Sequence, residues 1–238
     1  MNYEEIKKNL LVLVIMGFTS ISVFNSVVYY SLNYTQVLNG VLMISTIPVF
    51  IIFFSGLFKT ESIRIYQIIG VVISLLGVIS IITKLDLSLL LSLKLNKGDL
   101  WMLVAMISWT TYSLLLGKKK VKLEPFIFLQ TIIIIGLLFL FPMYLAEVLV
   151  GKKINFNFPV LMTIGYVVFF AGIGAYTFWN AAIKLIGPSR SGVFLHLMPI
   201  FSSLMAVFLL GEQFSFHHIV GTLLIISGIL LSSKKQTI

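Results

Sequence analysis

The chain contains eight apolar runs, each close to the length of a membrane-crossing helix. Such a helix needs about 20 mostly apolar residues to cross the hydrocarbon core. The runs cover approximately 9–31, 36–58, 65–83, 99–117, 125–148, 158–183, 189–210 and 217–233, and are called spans 1 to 8 below. Little chain is left between them. The links at 33–35 and 187–188 hold little more than a turn, and the longest, 84–98, has no room for a soluble domain.

Composition closes off the soluble alternatives. Residues of the hydrophobic set make up 59% of the chain, charged residues 11%, and the mean hydropathy is +1.08. A soluble domain carries roughly a quarter charged residues, and disorder requires low apolar content. Barrel strands would alternate polar and apolar residues, whereas these runs are continuous and carry Gly and Pro, which points to helices. The expected fold class is therefore an all-α polytopic membrane protein with about eight transmembrane helices. The first run is not a cleavable leader. It is too long, and Asn25, Tyr29 and Tyr30 stand where a small-residue cleavage site belongs.

Charge sets the orientation. With the N-terminus in the cytoplasm, twelve of the 17 basic residues fall on the cytoplasmic side, among them Lys7, Lys8, Lys59, Arg64, Lys118, Lys119, Lys120 and Lys122. Five, namely Lys84, Lys94, Lys97, Lys152 and Lys153, fall on the other side. That bias puts both termini in the cytoplasm of a plasma-membrane protein. It also accounts for the net charge of +9 without nucleic acid as a partner. There is no cysteine, so disulfides, thiolate metal sites and cysteine nucleophiles are excluded.

The chain repeats itself at an offset of 151 residues. Pro48 falls on Pro199, Phe50 on Phe201, Glu61 on Glu212, Ile68 on Ile219, Gly70 on Gly221 and Gly77 on Gly228. These are six identities in the 57 pairs between 24–80 and 175–231, with no gap. Both copies read as a helix with a central Pro, then Glu, a short loop, and a helix with Gly seven apart. The offset carries span 1 onto span 6, span 2 onto span 7 and span 3 onto span 8. Five helices is an odd number, so the copies lie upside down relative to each other. Inverted repeats mark secondary transporters that bind solute near the midplane and rock between two openings.

The stretch 172–232 resembles an EamA domain of the drug/metabolite transporter superfamily. The resemblance is carried by an aromatic-rich helix, the turn PSRS, then MPIF, LLGE and IVG…ISGILL. Residues 36–83 resemble a weaker copy (IPVF…KTE…IIG…LLG), and 100–118 resembles the opening helix of a second half. The resemblance implies a carrier of a small metabolite such as an amino acid, most often exported. It also implies ten helices, five in each half. The expected organisation is then an incomplete first half of three helices at 1–83, a connecting loop at 84–98, and a five-helix second half at 99–238. The missing pair is expected before Asn9. A non-transporting or truncated membrane subunit that needs partner helices is the alternative.

Polar groups inside a membrane are costly unless they face a cavity or a partner, so they mark candidate sites. Asn25 and Tyr29 in span 1 repeat the four-residue spacing of Tyr176 and Asn180 in span 6, and each pair shares a helix face. The offset exchanges their order: Asn25 matches Tyr176, and Tyr29 matches Asn180. Trp109 and Tyr112 lie at mid-depth in span 4, and Trp179 and Phe178 in span 6. His196 is the one histidine well inside a span and matches Ser45. The expected path-lining residues are Asn25, Tyr29, Trp109, Tyr112, Tyr176, Asn180 and His196. Helix–helix hydrogen bonding would retain the same polar groups. Pro48 and Pro199 should bend their helices, and Glu61 and Glu212 read as loop anchors.

No carboxylate sits in the middle of any span, no phosphate-cradling loop of the Gly-x-x-x-x-Gly-Lys type occurs, and no constellation of nucleophile, base or metal ligands appears. An enzyme is not expected, nor a cofactor, nor a resident metal. The expected partners are a small solute, membrane lipid and at most a second copy of the chain.

Overall fold

The computed structural model describes residues 2–91, 94, 96–118, 121–151, 154–211 and 213–234. Among them the regular elements are all helical. Seven helices are long and apolar enough to cross a membrane: Leu10–Ser31, Val37–Leu57, Ile65–Ile82, Lys97–Lys118, Pro125–Leu149, Phe158–Ile186 and Pro188–Leu209. Phe216–Ser232 is a shorter apolar helix. These are spans 1 to 8, with ends within three residues of those read from hydropathy. The chain is a polytopic helical membrane protein. Glu212, Lys119, Lys120, Lys152, Lys153 and Lys235 lie outside the described residues.

A short helix, Asn2–Lys8, precedes span 1. Its Glu5 carboxylate accepts from the backbone N–H of Lys122 at 3.0 Å, tying the N-terminus to the link between spans 4 and 5. That face also carries the 58–64 link and the turn at Gly187, and is called the basic face below.

Spans 3 and 8 show the repeat as geometry. Gly77 of span 3 meets Gly221 of span 8, and Gly70 meets Gly228. Adding 151 to the span 3 partner of either contact gives the span 8 partner of the other, as a two-fold axis between the copies requires. A Cβ at Gly77 would lie 2.6 Å from the Gly221 carbonyl oxygen, and one at Gly221 would lie 2.7 Å from the Gly77 oxygen. Only glycine permits this approach, which is how apolar helices associate where lipid competes for every apolar contact. Both helices open with the same bond, from the N-cap backbone N–H to the side chain three residues on. The Gln67 side chain accepts from the Arg64 N–H at 2.9 Å, and His218 Nδ1 accepts from the Ser215 N–H at 3.0 Å.

Two cores result. One joins spans 1, 2, 4, 5 and 6 around Leu13, Met16, Met106, Tyr112, Phe128 and Ile132. The other joins spans 2, 3, 7 and 8 around Val71, Val78, Val193, Ile225 and Ile229.

The long helices are interrupted at matching places. Span 1 turns π-helical over Phe18–Phe24 and span 6 over Val167–Gly174. Span 2 stops at Ile44 and restarts at Ile47, with Pro48 in the new first turn, and span 7 tightens to a 3₁₀ turn over Phe194–Leu197 just before Pro199. Proline lacks the N–H that would continue the ladder and clashes with the preceding turn. The bends expected at Pro48 and Pro199 therefore fall one to five residues earlier, as breaks.

Candidate functional site

Spans 1 and 6 meet just beyond their π-helical segments. A π turn adds a residue to the turn, and such turns are frequent at functional sites because they re-aim side chains and loosen carbonyls. The Tyr176 hydroxyl donates to the Ser20 carbonyl at 2.6 Å. Asn25 Nδ2 lies 3.0 Å from both the Ser20 and Ile21 carbonyls and donates to the Tyr176 hydroxyl at 3.2 Å. Asn25 and Tyr176 are 151 apart, so the two matched residues bond each other across the axis.

Span 4 closes the group. The Tyr112 hydroxyl donates to Asn180 Oδ1. The Trp109 ring is the hub, with centroids 4.6 Å from Phe24, 5.4 Å from Tyr176, 5.4 Å from Trp179 and 5.5 Å from Tyr112. Trp109 is 8% exposed, and Tyr112 is fully buried. The Trp179 indole N–H is buried in this wall with no acceptor. The polar groups of this cluster are amide, hydroxyl and indole.

A second pairing of matched residues lies at the breaks of spans 2 and 7. The Val49 N–H, which a continuous helix would give to the Ser45 carbonyl, goes to Thr46. His196 Nε2–H donates to that Ser45 carbonyl at 2.8 Å, again across 151 residues. The other ring nitrogen, Nδ1, is hydrogen-bonded with the Ser74 hydroxyl. His196 is fully buried and joins one span of the second copy to two of the first.

The two faces differ. On the basic face Pro188–Val193 packs against Ile47–Leu57, the Ser189 N–H donates to the Glu61 carboxylate at 3.0 Å, and the hydroxyls of Ser189 and Ser55 are 3.2 Å apart. The matching contact on the other face would join Val37–Ile44 to Met198–Leu210, and it is not made to a comparable extent among the described residues. That face instead holds a cavity of about 570 Å³ lined by residues that include Asn33, Gln36, Asn39 and Lys94.

The pattern of the EamA-like transporter family matches residues 2–83 and 96–234. The chain belongs to that family. It is 25% identical to the uncharacterized transporter YyaM of Bacillus subtilis over 231 residues, 97% of this chain and 75% of that protein. It is 28% identical to an uncharacterized transporter of Archaeoglobus fulgidus, over 96% of this chain and 76% of that one. A solved crystal structure superposes with a TM-score of 0.75 at 17% identity, covering 96% of this chain and 82% of the other, and so shares the fold. This EamA-like chain is a membrane transporter.

Of the seven residues expected along the path, five come together: Asn25, Trp109, Tyr112, Tyr176 and Asn180. His196 stands apart, at the second pairing. Tyr29 is not brought to the group and is 64% exposed. Its match, Asn180, is covered by Tyr112 of span 4, and no helix among the described residues takes the corresponding place over Tyr29. Phe24 joins the cluster without having been expected there, and so does Trp179, which the sequence marked as an aromatic of span 6 but not among the path-lining residues. Among the described residues no group of three or more His, Asp or Glu comes together as a metal site.

Proposed function

We propose that this transporter is a secondary carrier that moves a small uncharged or zwitterionic metabolite, such as an amino acid, out of the cell by alternating access. It acts in the plasma membrane with both termini in the cytoplasm, so the basic face is the cytoplasmic one. The segments 1–83 and 99–238 are the bodies that move, joined by 84–98.

The observation that carries the reading is the Asn25–Tyr176 bond between matched residues, walled by Trp109, Tyr112 and Trp179. A carrier with inverted repeats binds its solute between the copies near mid-depth, and this is where the copies exchange polar contacts. Stacking and neutral hydrogen bonds suit a planar or amphipathic solute of no net charge. The idle Trp179 N–H adds one requirement, an acceptor on the solute. The tied basic face and the looser opposite face support an outward-facing state, with Glu61 on Ser189 as the cytoplasmic latch.

The test is flux into and out of liposomes containing the purified chain, with a panel of radiolabelled amino acids and other small metabolites. Saturable flux is expected, cut about tenfold or more by Trp109→Ala and by Asn180→Ala, the loss of roughly one well-made contact. Flux unchanged in both variants would remove the cluster from the path.

One observation favours a second reading, a subunit that works with partner helices. Span 1 is packed by spans 4 and 5, whereas Phe158–Gly174 of span 6 buries no residue. On this reading the purified chain shows no flux alone and gains it with a co-expressed helix pair that binds span 6.

A further inference from the structure

The basic face carries a cavity of about 300 Å³ between the two copies. Arg64 reaches it from the first copy, at the start of span 3, and Arg190 from the second, in the first turn of span 7. Two like charges on one small cavity repel each other unless a counter-charge lies between them. The carboxylate on its wall is Glu61, and that group already accepts the Ser189 N–H at 3.0 Å. Arg64 lies over the Tyr66 ring, 5.9 Å from its centroid, which holds the guanidinium without neutralising it. Neither arginine has a carboxylate partner among the described residues. The cavity therefore keeps an excess of one positive charge, with the Ser62 and Tyr66 side chains beside it.

A guanidinium matches a phosphate better than a lysine would, because it offers two parallel N–H donors to two oxygens. We infer that the cavity between Arg64 and Arg190 binds a phosphate-bearing anion, which bridges the two copies beside the Glu61 latch. Two sources share that chemistry, the headgroup of an anionic phospholipid and free phosphate. A bound phosphate ties together surfaces that must part for the basic face to open. The inference does not rest on the transport reading, since binding is measured without flux.

The experiment uses the full chain in detergent and in nanodiscs. In detergent, thermal unfolding is followed by tryptophan fluorescence in inorganic phosphate and in sodium chloride of equal ionic strength. In nanodiscs of phosphatidylcholine with and without phosphatidylglycerol, retained lipid is counted by native mass spectrometry. Wild type, Arg64→Gln, Arg190→Gln and the control Lys84→Gln are compared, each first shown to unfold cooperatively. A phosphate-specific rise in unfolding temperature, or selective retention of phosphatidylglycerol, is expected for wild type and Lys84→Gln. Each arginine variant should bind about tenfold more weakly, the worth of one charged hydrogen bond. A response to phosphatidylglycerol alone identifies the headgroup as the source, and a response to phosphate alone identifies a soluble anion. No response of the wild type to either source, or arginine variants that respond as wild type does, overturns the inference.

Discussion

Spans 1 and 6 are the same element in two settings. Both turn π-helical at matching places, and both deliver a polar residue to the crossing, Asn25 from one and Tyr176 from the other. Yet span 1 buries Leu13, Met16, Ser20 and Ser22 beneath its neighbours, and the first half of span 6 buries nothing. Backbone form thus follows the local chain, while burial follows what stands opposite. In lipid an uncovered apolar face loses little, because acyl chains are as apolar as leucine. The open side of span 6 is compatible with a stable fold in a way it would not be in water.

The sharpest way to break this comparison is to put the same bulk on both helices. Gly17 of span 1 touches span 5, and a Cβ there would lie 2.7 Å from the Ile132 carbonyl oxygen. Gly172 of span 6 meets nothing nearer than its own helix's Val167 oxygen at 3.2 Å. Gly17→Leu should cost about 3 kcal/mol, at the upper end of overpacking, and Gly172→Leu almost nothing. Unfolding temperature in detergent reads both. Equal losses would mean that span 6 is packed by something not seen here.

The crossing itself is the next target. A double-mutant cycle of Asn25→Ala and Tyr176→Phe should give a coupling of about 0.6–1.7 kcal/mol, the range for polar contacts between membrane helices. Solute flux should fall further than stability in both single variants. Zero coupling would reduce the matched pair to a coincidence of packing.

The number of helices was legible in the sequence because hydropathy accumulates over some 20 residues and small errors cancel. The repeat was legible in the few residues with fixed backbone roles, Pro48, Gly70, Gly77 and their matches. Spacing also paired Asn25 with Tyr176, though only the fold brings them into contact. The π-helical turns had no such signature. FTSISVF and VVFFAGIG share a backbone form and almost no residues, so no residue pattern common to the two announces it. The idle N–H of Trp179 was equally hidden, because one aromatic in an aromatic-rich helix gives no hint of which atom it leaves unpaired.

Trp179→Phe tests that atom alone. It keeps most of the ring that stacks 5.4 Å from Trp109 and removes the donor. If the solute accepts that hydrogen bond, KM should rise about five- to tenfold, near 1 kcal/mol, with stability unchanged or slightly higher. A variant with wild-type KM would leave the indole as wall and nothing more.

The smallest effect is expected at Tyr29, and it bears most directly on how far spacing can be trusted. Four residues after Asn25, Tyr29 lies on the same stripe of span 1, as Asn180 does on the stripe of Tyr176. But spans 1 and 6 run in opposite directions through their crossing, so one turn onward leads toward opposite faces of the protein. Asn180 moves under Tyr112 of span 4, while Tyr29 moves into the open. Tyr29→Phe should therefore leave both flux and unfolding temperature within error of wild type, since an exposed hydroxyl without a partner contributes little. A clear loss of flux would mean that a further helix, in the place span 4 holds over Asn180, presses Tyr29 into the path in the working transporter, and spans 1 and 6 would then be alike in setting as well as in form.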